Sequence, residues 1–248
     1  MTALARGLEV LGCFRSRDKA LSNQALATRC GLPKSTVSRL TYTLTRLGYL
    51  EHDADSGLYR LGSATLSLGS TMLSRMEVRH RARPLMQRLA DETQTMVSLG
   101  ARDRLNMIYV ENCRSDAAMY LGLDVGSRLP LATTAMGRAY LLACSDSVRQ
   151  DLLSRIREAS PADWPAIEAG LAAAMDNDRI HGVCCSFGDW HADVNAIALA
   201  FVPHGSRTLV SLNCGGPATH LSREYLLERV RPRLMAVVRA MQQAPESP

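Results

Sequence analysis

Apolar residues recur at helical spacing in three segments of the first fifty residues and predict three short amphipathic helices. The predicted apolar faces are Leu4, Leu8, Leu11 and Phe14 in the first helix, Leu26 and Ala27 in the second, and Val37, Leu40, Leu44 and Leu47 in the third. Ser22 is a good N-cap for the second helix, Gly31 is suited to end it, and Pro33 favours the first turn of the third.

The pattern then changes from helical spacing to two short strand-like runs, 49–51 and 58–61. They flank the turn-forming segment 53–57, whose sequence is Asp-Ala-Asp-Ser-Gly, and together predict a small hairpin. Three helices followed by a hairpin are typical of a winged helix-turn-helix, which places the end of one helix in the major groove of DNA. A helical hairpin inside a packed domain is the alternative interpretation of the helices alone.

Further along the chain, helical patterns and strand-like runs predict a second, larger unit. Helices are expected at 66–75 and 77–92, with Pro84 near the start of the latter, and at 134–144, 146–158, 164–177 and 222–242. Strands are expected at 96–101, 105–113, 118–124, 181–187, 195–203 and 207–214, with hairpin turns at 102–104 and 203–206. The predicted fold class is therefore α+β, an antiparallel sheet with helices packed on it.

The third predicted helix carries the candidate DNA contacts on the side away from its apolar residues. Short hydroxyl side chains allow close approach to base edges, and an arginine can form a bidentate contact with guanine. The candidates are Ser35, Thr36, Ser38, Arg39 and Tyr42 nearest the bases, with Lys34, Arg46 and, on the hairpin, Arg60 as further contacts. We expect Lys34 and Arg46 to contact phosphates.

The charge distribution supports a nucleic-acid partner for the N-terminal part. Residues 1–69 hold nine basic and five acidic residues, an excess of four, whereas the remainder holds twenty basic and nineteen acidic residues. Positive charge is thus concentrated where phosphate attraction requires it.

Enzymatic and metal chemistry find little support in the sequence. The six histidines lie apart, and no nucleophile elbow, zinc-protease, phosphate-loop or dinucleotide-binding motif is present. His191 and Asp193 alone do not make a metal site. The seven cysteines contain no CxxC pair, and Cys184 and Cys185 are interpreted as buried thiols, with a redox sensor as the alternative. The sequence has no signal-peptide pattern and no apolar run of membrane-spanning length, so a cytoplasmic protein is expected.

Three segments carry a family resemblance. GLPKSTVSRLTYTLTRLGYL followed by YRLG, RLPLATTAMGRAYL at 128–141, and LVSLNCGGPATHLS at 209–222 resemble the IclR family of bacterial transcriptional regulators. The resemblance implies a winged helix-turn-helix domain at 1–65, a linker helix at 66–76, and a GAF-like effector-binding and oligomerisation domain at 77–248. It also implies a homodimer or homotetramer that binds a double-stranded, (pseudo)palindromic DNA operator.

A small-molecule site is expected in the second unit. Thr134 would begin a helix. The threonine hydroxyl and the free backbone N–H groups of the first helical turn suit a carboxylate. By resemblance, the family's pocket corresponds here to Ala135, Met136, Gly137, Ser186, Ala196, Asn213 and Gly215. The family often has acidic residues where Cys185 and Ser186 stand, and a small polar residue or cysteine where Ala196 stands. This chain instead has Trp190, His191 and Asn195 nearby, which suggest stacking and hydrogen bonding to an aromatic or heterocyclic acid.

The sequence thus predicts a DNA-binding transcriptional regulator of a catabolic operon, with no cofactor, controlled by a small organic acid. A repressor is expected, with an activator as the alternative. A DNA-binding protein that needs no ligand, or an enzyme with an accessory winged helix, would be the competing classes.

Overall fold

In the computed structural model, which describes residues 2–15, 18–116 and 122–243, the chain divides between Met76 and Glu77 into two units. The first unit contains helices and a small antiparallel sheet with strand order β1-β3-β2. Its elements are α1 (Ala3–Gly12), β1 (Leu21–Ser22), α2 (Asn23–Cys30), α3 (Lys34–Arg46), β2 (Leu50–Asp53), β3 (Leu58–Leu61) and α4 (Ser63–Ser74).

The boundaries of the helix-turn-helix follow the capping signals in the sequence. Ser22 Oγ accepts a hydrogen bond from Ala25 N at 3.1 Å and caps α2. Gly31 ends that helix in the left-handed conformation, with φ of 62°, which glycine adopts at little cost. Pro33 stands at the N-cap of α3. The hairpin pairs β2 with β3 around the predicted turn, and Leu21 of β1 joins it opposite Tyr59.

The predicted apolar face of α1 is wrong in part. Leu4 and Leu8 are exposed, whereas Gly7 and Val10 are buried. A Cβ at Gly7 would lie 4.0 Å from Leu40 Cδ2, which shows how closely α1 approaches α3 at this point. Packing against α3 thus buries the side of α1 that carries Gly7 and Val10, not the side that carries Leu4 and Leu8.

The predicted apolar face of α3 also needs one correction. Val37 is fully buried and Leu40 and Leu44 are partly buried, but Leu47 is 61% exposed because it lies beyond the end of the helix. The buried position that the pattern did not reveal is Thr41, whose hydroxyl donates a hydrogen bond to Ser38 O at 3.2 Å.

The second unit is built on an antiparallel sheet with strand order β6-β5-β4-β9-β8-β7. Helices α5 and α10 pack against each other on β4, β5, β8 and β9, whereas α6 packs across the sheet and contacts α8. The elements are α5 (Glu77–Thr93), β4 (Met96–Asp103), β5 (Asn106–Arg114), β6 (Arg128–Pro130), α6 (Ala135–Ala143), α7 (Asp146–Ala159), α8 (Trp164–His181), β7 (Cys184–Phe187), β8 (Val194–Phe201), β9 (Val210–Pro217), α9 (Arg223–Tyr225), a π-helical turn (Leu226–Val230) and α10 (Arg231–Gln242). The α+β class predicted from the sequence is confirmed.

Several predicted boundaries in this unit differ from the structure. Strand β6 was not predicted, because three residues beside a turn give almost no alternating pattern. The strand predicted at 118–124 lies largely outside the described residues, and 122–124 are not in a strand. Helix α8 extends to His181, where a strand was expected, and Pro84 lies in the middle of α5. None of the described helices is long and apolar enough to cross a membrane.

Candidate DNA-binding surface and effector site

Helix α3 separates a buried side from an exposed side that carries the candidate DNA contacts. Val37 and Thr41 are fully buried, whereas Tyr42 is 68% exposed. Because residues four apart lie above one another on a helix, positions 34, 38, 42 and 46 form one row and 35 and 39 a second row beside it. All of these residues are exposed, and Thr36 is half-buried.

The exposed side of α3 is positively charged. Lys34, Arg39 and Arg46 are its charged residues, and the helix contains no aspartate or glutamate. Three cations without a neighbouring acid on the same helix favour phosphate contacts and the release of counterions from DNA. The surface can therefore supply both non-specific attraction and, through Arg39, base recognition.

Asn23 is a further candidate residue that the sequence analysis missed. It begins α2, and its Nδ2 donates to Ser38 Oγ at 3.0 Å on the exposed side of α3. Its Oδ1 lies 3.4 Å from Thr41 Oγ1, whose single proton is shared between this oxygen and Ser38 O. Asn23 thus ties the two helices of the helix-turn-helix together at a candidate base contact. Its short polar side chain at the start of α2, next to the N-cap, was the signal that could have indicated this role.

Asn23→Ala should lower both stability and DNA affinity. Removing the two hydrogen bonds should reduce the free energy of unfolding by about 1 kcal/mol. It should also weaken DNA binding severalfold, because Ser38 loses the partner that orients its hydroxyl. Urea unfolding and fluorescence anisotropy with labelled duplex DNA would measure the two effects. Unchanged DNA affinity would show that Asn23 serves the fold alone.

The wing turn is ordered by Asp53. Its carboxylate accepts hydrogen bonds from Ser56 Oγ at 2.7 Å and from Asp55 N at 3.1 Å. The Ser56 hydroxyl contributes most to holding the pKa of Asp53 below its usual value, followed by the Asp55 amide. Arg60 lies on β3, exposed and opposite Glu51 in the register. The ordered turn can therefore hold Arg60 of β3 at a fixed position in the wing hairpin.

In the second unit, most of the predicted effector residues come together around one small cavity. Its volume is about 20 Å³, enough for one or two water molecules rather than for an organic acid. The predicted residues that line it are Thr134, Ala135, Met136, Ser186, Trp190, Ala196, Asn213 and Gly215. Other lining residues, which the sequence analysis missed, are Met96, Tyr109, Leu123, Leu129, Val194 and Gly216.

The most informative group at this cavity is the Asn213 side chain on β9. Its Oδ1 is buried without a hydrogen-bond partner among the described residues. The neighbouring Tyr109 is also buried, and burial raises the pKa of its hydroxyl to about 12 even though Ser98 and Asn213 hydrogen-bond to it. A buried acceptor without a partner costs free energy. The cavity is therefore suited to a ligand that donates a hydrogen bond.

Three predicted effector residues do not line this cavity. Gly137 packs against the backbone of Leu131. His191 is exposed, with its ring centroid 4.1 Å from that of Trp190. Asn195 Nδ2 donates to Leu221 O at 2.9 Å, and so holds the chain after β9 in place.

The expectation that Thr134 presents a free hydroxyl to a ligand is not met. Thr134 is buried, and its Oγ1 donates to Pro130 O at 2.8 Å while accepting from Gly137 N at 3.2 Å. The hydroxyl caps α6 and closes the preceding turn. In this conformation, Thr134 positions the cavity wall instead of offering a hydrogen bond to a carboxylate.

Cysteines and metal-ligating groups add no further site to this region. Cys184 and Cys185 are buried in β7, and burial raises the pKa of both thiols, that of Cys185 to about 12. Thiols with so little thiolate are poor nucleophiles. In the first unit, Cys13 and Cys30 meet across α1 and α2, with their Sγ atoms 2.9 Å apart. The described residues contain no group of three or more His, Cys, Asp or Glu side chains that could hold a metal ion.

Comparison with known families gives matches along nearly the whole chain. Residues 70–243 match the C-terminal domain of the IclR bacterial transcriptional regulators. Residues 3–54 match the IclR helix-turn-helix domain. The two matches fall on the units that carry the small cavity and the exposed basic helix.

Similar proteins cover the chain almost from end to end. A crystal structure of an IclR family transcriptional regulator from Brucella abortus is 46% identical, covers 97% of this chain and 91% of its own, and superposes with a TM-score of 0.86. The HTH-type transcriptional regulator TsaQ1/TsaQ2 of Comamonas testosteroni is 33% identical, with 97% of this chain and 87% of that protein covered. An IclR homolog from Microbacterium hydrocarbonoxydans, crystallised with 4-hydroxybenzoate, shares the fold at 24% identity and a TM-score of 0.69, covering 96% of this chain and all of its own.

Proposed function

Because the chain belongs to the IclR family of bacterial transcriptional regulators, we propose that it represses a catabolic operon and is controlled by a small organic acid. The named relatives are transcriptional regulators, not enzymes. What supports the ligand-controlled form of this function is the cavity with the unpaired Asn213 Oδ1.

DNA binding is proposed to involve two copies of the chain. In a homodimer, or a homotetramer built from two dimers, paired α3 helices enter successive major grooves of a pseudo-palindromic operator. Helices α1 and α4 support pairing because they expose large apolar side chains that a monomer leaves in water. These residues are Leu4, Leu8, Leu66, Leu68 and Met72.

Effector binding requires the small cavity to enlarge. A ligand pocket usually measures about 300–1,000 Å³, far more than the 20 Å³ present here. We place this enlargement at segment 188–193 between β7 and β8, which forms part of the cavity wall through Trp190. It carries Trp190 over the cavity, while Asp189, His191, Ala192 and Asp193 are exposed. Movement of this segment would let Trp190 stack on an aromatic acid.

The experiment that tests the proposed function combines ligand and DNA binding. An operator is first selected from random duplex DNA with the full-length protein. Thermal shift is then measured with a panel of aromatic and aliphatic acids that includes 4-hydroxybenzoate, the compound found in the Microbacterium hydrocarbonoxydans homolog. At least one acid should raise the melting temperature and change operator affinity, since a ligand stabilises the state it binds. No response to any acid would favour the ligand-independent class.

Two neighbouring substitutions test the position of the effector. Trp190→Ala should weaken binding of the active acid about 5- to 30-fold, because ring stacking and apolar contact are lost. His191→Ala should change the affinity less than about twofold, since its ring lies outside the cavity lining. Isothermal titration measures both. Equal losses of affinity in the two variants would show that His191 also contacts the acid. Unchanged affinity in Trp190→Ala would show that Trp190 does not stack on it.

A further inference from the structure

A second, much larger concavity lies beside the small cavity in the same unit. It is a cleft of about 790 Å³, within the usual range for a small-molecule site. Its polar lining residues are Asn106, Thr133, Arg138, Ser160, Asp163 and Asp189, and its apolar walls include Leu105, Leu131, Ile156 and Ile167. Segment 133–134 and segment 189–190 separate the two concavities, since Thr133 and Asp189 line the cleft whereas Thr134 and Trp190 line the small cavity.

The chemistry of this cleft centres on Arg138 of α6. Its side chain is only 4% exposed, although arginine is rarely buried to this extent. Nε donates to Ala132 O at 3.0 Å and Nη1 donates to Cys185 O at 3.2 Å. The ion pair of Nη1 with Asp189 Oδ2, at 2.6 Å, supplies the counter-charge. Two backbone carbonyls therefore fix the guanidinium independently of its carboxylate partner.

The two partners of the ion pair differ sharply in exposure. Asp189 is 43% exposed, while Arg138 is almost completely buried. A buried guanidinium without a counter-charge is costly, whereas a half-exposed carboxylate can turn into water at much lower cost. Asp189 is thus the exchangeable partner, and any carboxylate that replaces it keeps Arg138 neutralised.

Gly170 of α8 leaves room for the remaining part of the guanidinium. A Cβ at this position would overlap Arg138 Nη2, so only glycine lets that nitrogen lie where it does. Glycine inside a helix lowers stability by about 0.5–1 kcal/mol relative to alanine. At position 170 this loss is accompanied by space for the Arg138 guanidinium. Both nitrogens of the fork can then face one carboxylate, the geometry that gives arginine its strongest pairs.

We propose that this cleft is a binding site for a small carboxylate, which is held by Arg138 in exchange for Asp189. Asp163, a second acid on the cleft wall, disfavours a second negative group and favours a hydrogen-bond donor at the far end of the ligand. The ligand class is accordingly a monocarboxylate that carries a hydroxyl or amino group. The cleft is a site additional to the small cavity, and the proposal rests on the proposed function only for the chemical class of the effector.

Exchange at Arg138 has a direct consequence for the small cavity. Asp189 directly precedes Trp190, which lines that cavity. Release of Asp189 removes the side-chain tether of segment 188–193 to α6. Carboxylate binding in the cleft should therefore alter the environment of Trp190, which a site unrelated to the segment would leave unchanged.

The test uses the full-length protein with 4-hydroxybenzoate and its uncharged analogue, 4-hydroxybenzamide, in isothermal titration. The acid should bind and the amide should bind at least tenfold more weakly. Gly170→Ala should weaken acid binding at least tenfold, while Ala173→Ser, on the exposed side of the same helix, should leave it within about twofold. Asp189→Asn should strengthen acid binding severalfold, because the competing charge is gone while the side-chain shape is kept.

A purely structural ion pair predicts a different set of results. Loss of acid binding in Ala196→Val, which fills the small cavity, together with unchanged binding in Gly170→Ala and Asp189→Asn would overturn the cleft proposal and leave the proposed function intact. Absence of any acid response in every variant and in the unmodified protein would contradict both. In a Trp164→Phe background, where Trp190 is the remaining tryptophan, the acid should shift the emission; constant emission despite binding would contradict the release of Asp189.

Discussion

Arg39→Ala should reduce the affinity for the selected operator about 10- to 100-fold and relax base preference at one position of each half-site. The side chain is exposed near the middle of α3, on the side opposite Val37. A bidentate arginine–guanine contact contributes about 1–3 kcal/mol of discrimination, which corresponds to this range. Fluorescence anisotropy with the operator and a scrambled duplex would measure specific and non-specific affinity in parallel.

Lys34→Ala is the matched control for the Arg39 substitution. Lys34 begins the same helix, is exposed, and is expected to contact phosphate. Its loss should weaken operator and scrambled duplex by the same factor and lower the slope of log affinity against log salt by about one unit per operator half-site. If Arg39→Ala also lowered both affinities equally, the base-reading role of Arg39 would be wrong.

Gly137→Ala should lower the free energy of unfolding of the second unit by about 1–3 kcal/mol, the range expected for overpacking. An added Cβ would overlap the Leu131 carbonyl and lie 2.6 Å from its Cα, so backbone must move. The displaced turn, 131–134, forms a wall of both concavities. Acid binding should therefore fall together with stability, which urea unfolding and titration would measure.

Gly69→Ala provides the control for this second prediction. Gly69 lies inside α4, and a Cβ there meets nothing within 4 Å. The substitution should be neutral or stabilise the first unit by up to about 1 kcal/mol, because alanine favours the helix. A comparable loss of stability in both variants would show that replacing a helical glycine is destabilising in general. The contact with Leu131 would then not explain the effect of Gly137→Ala.

The helix-turn-helix could be predicted closely because its determinants are local. Ser22, Gly31 and Pro33 each act on the backbone within three residues of themselves, so their effect is readable from spacing. The inward side of α1 was not readable in the same way. Gly7 is buried because α3 approaches it closely, and a pattern that counts large apolar residues assigns no importance to glycine.

The effector region shows the same division between local and tertiary information. The resemblance led to residues from four separate segments, and eight of the eleven predicted residues line one cavity. The role of Thr134 could not be anticipated, because its hydroxyl is occupied by Pro130 O and Gly137 N once the turn forms. Arg138 was missed because its carboxylate partner, Asp189, is 51 residues away.

By itself, the sequence determined that this protein has a DNA-reading helix with an exposed basic side, a wing, and a second α+β unit of the IclR type. Capping, periodicity and charge depend on residues that are close together in the chain, and they can therefore be recognised from the sequence. Only the tertiary structure decided how large each concavity is, that Asn213 Oδ1 lacks a hydrogen-bond partner, and that Asp189 neutralises Arg138. Volume, burial and long-range pairing depend on the packing of β7, β9, α6 and α8, which no local spacing encodes.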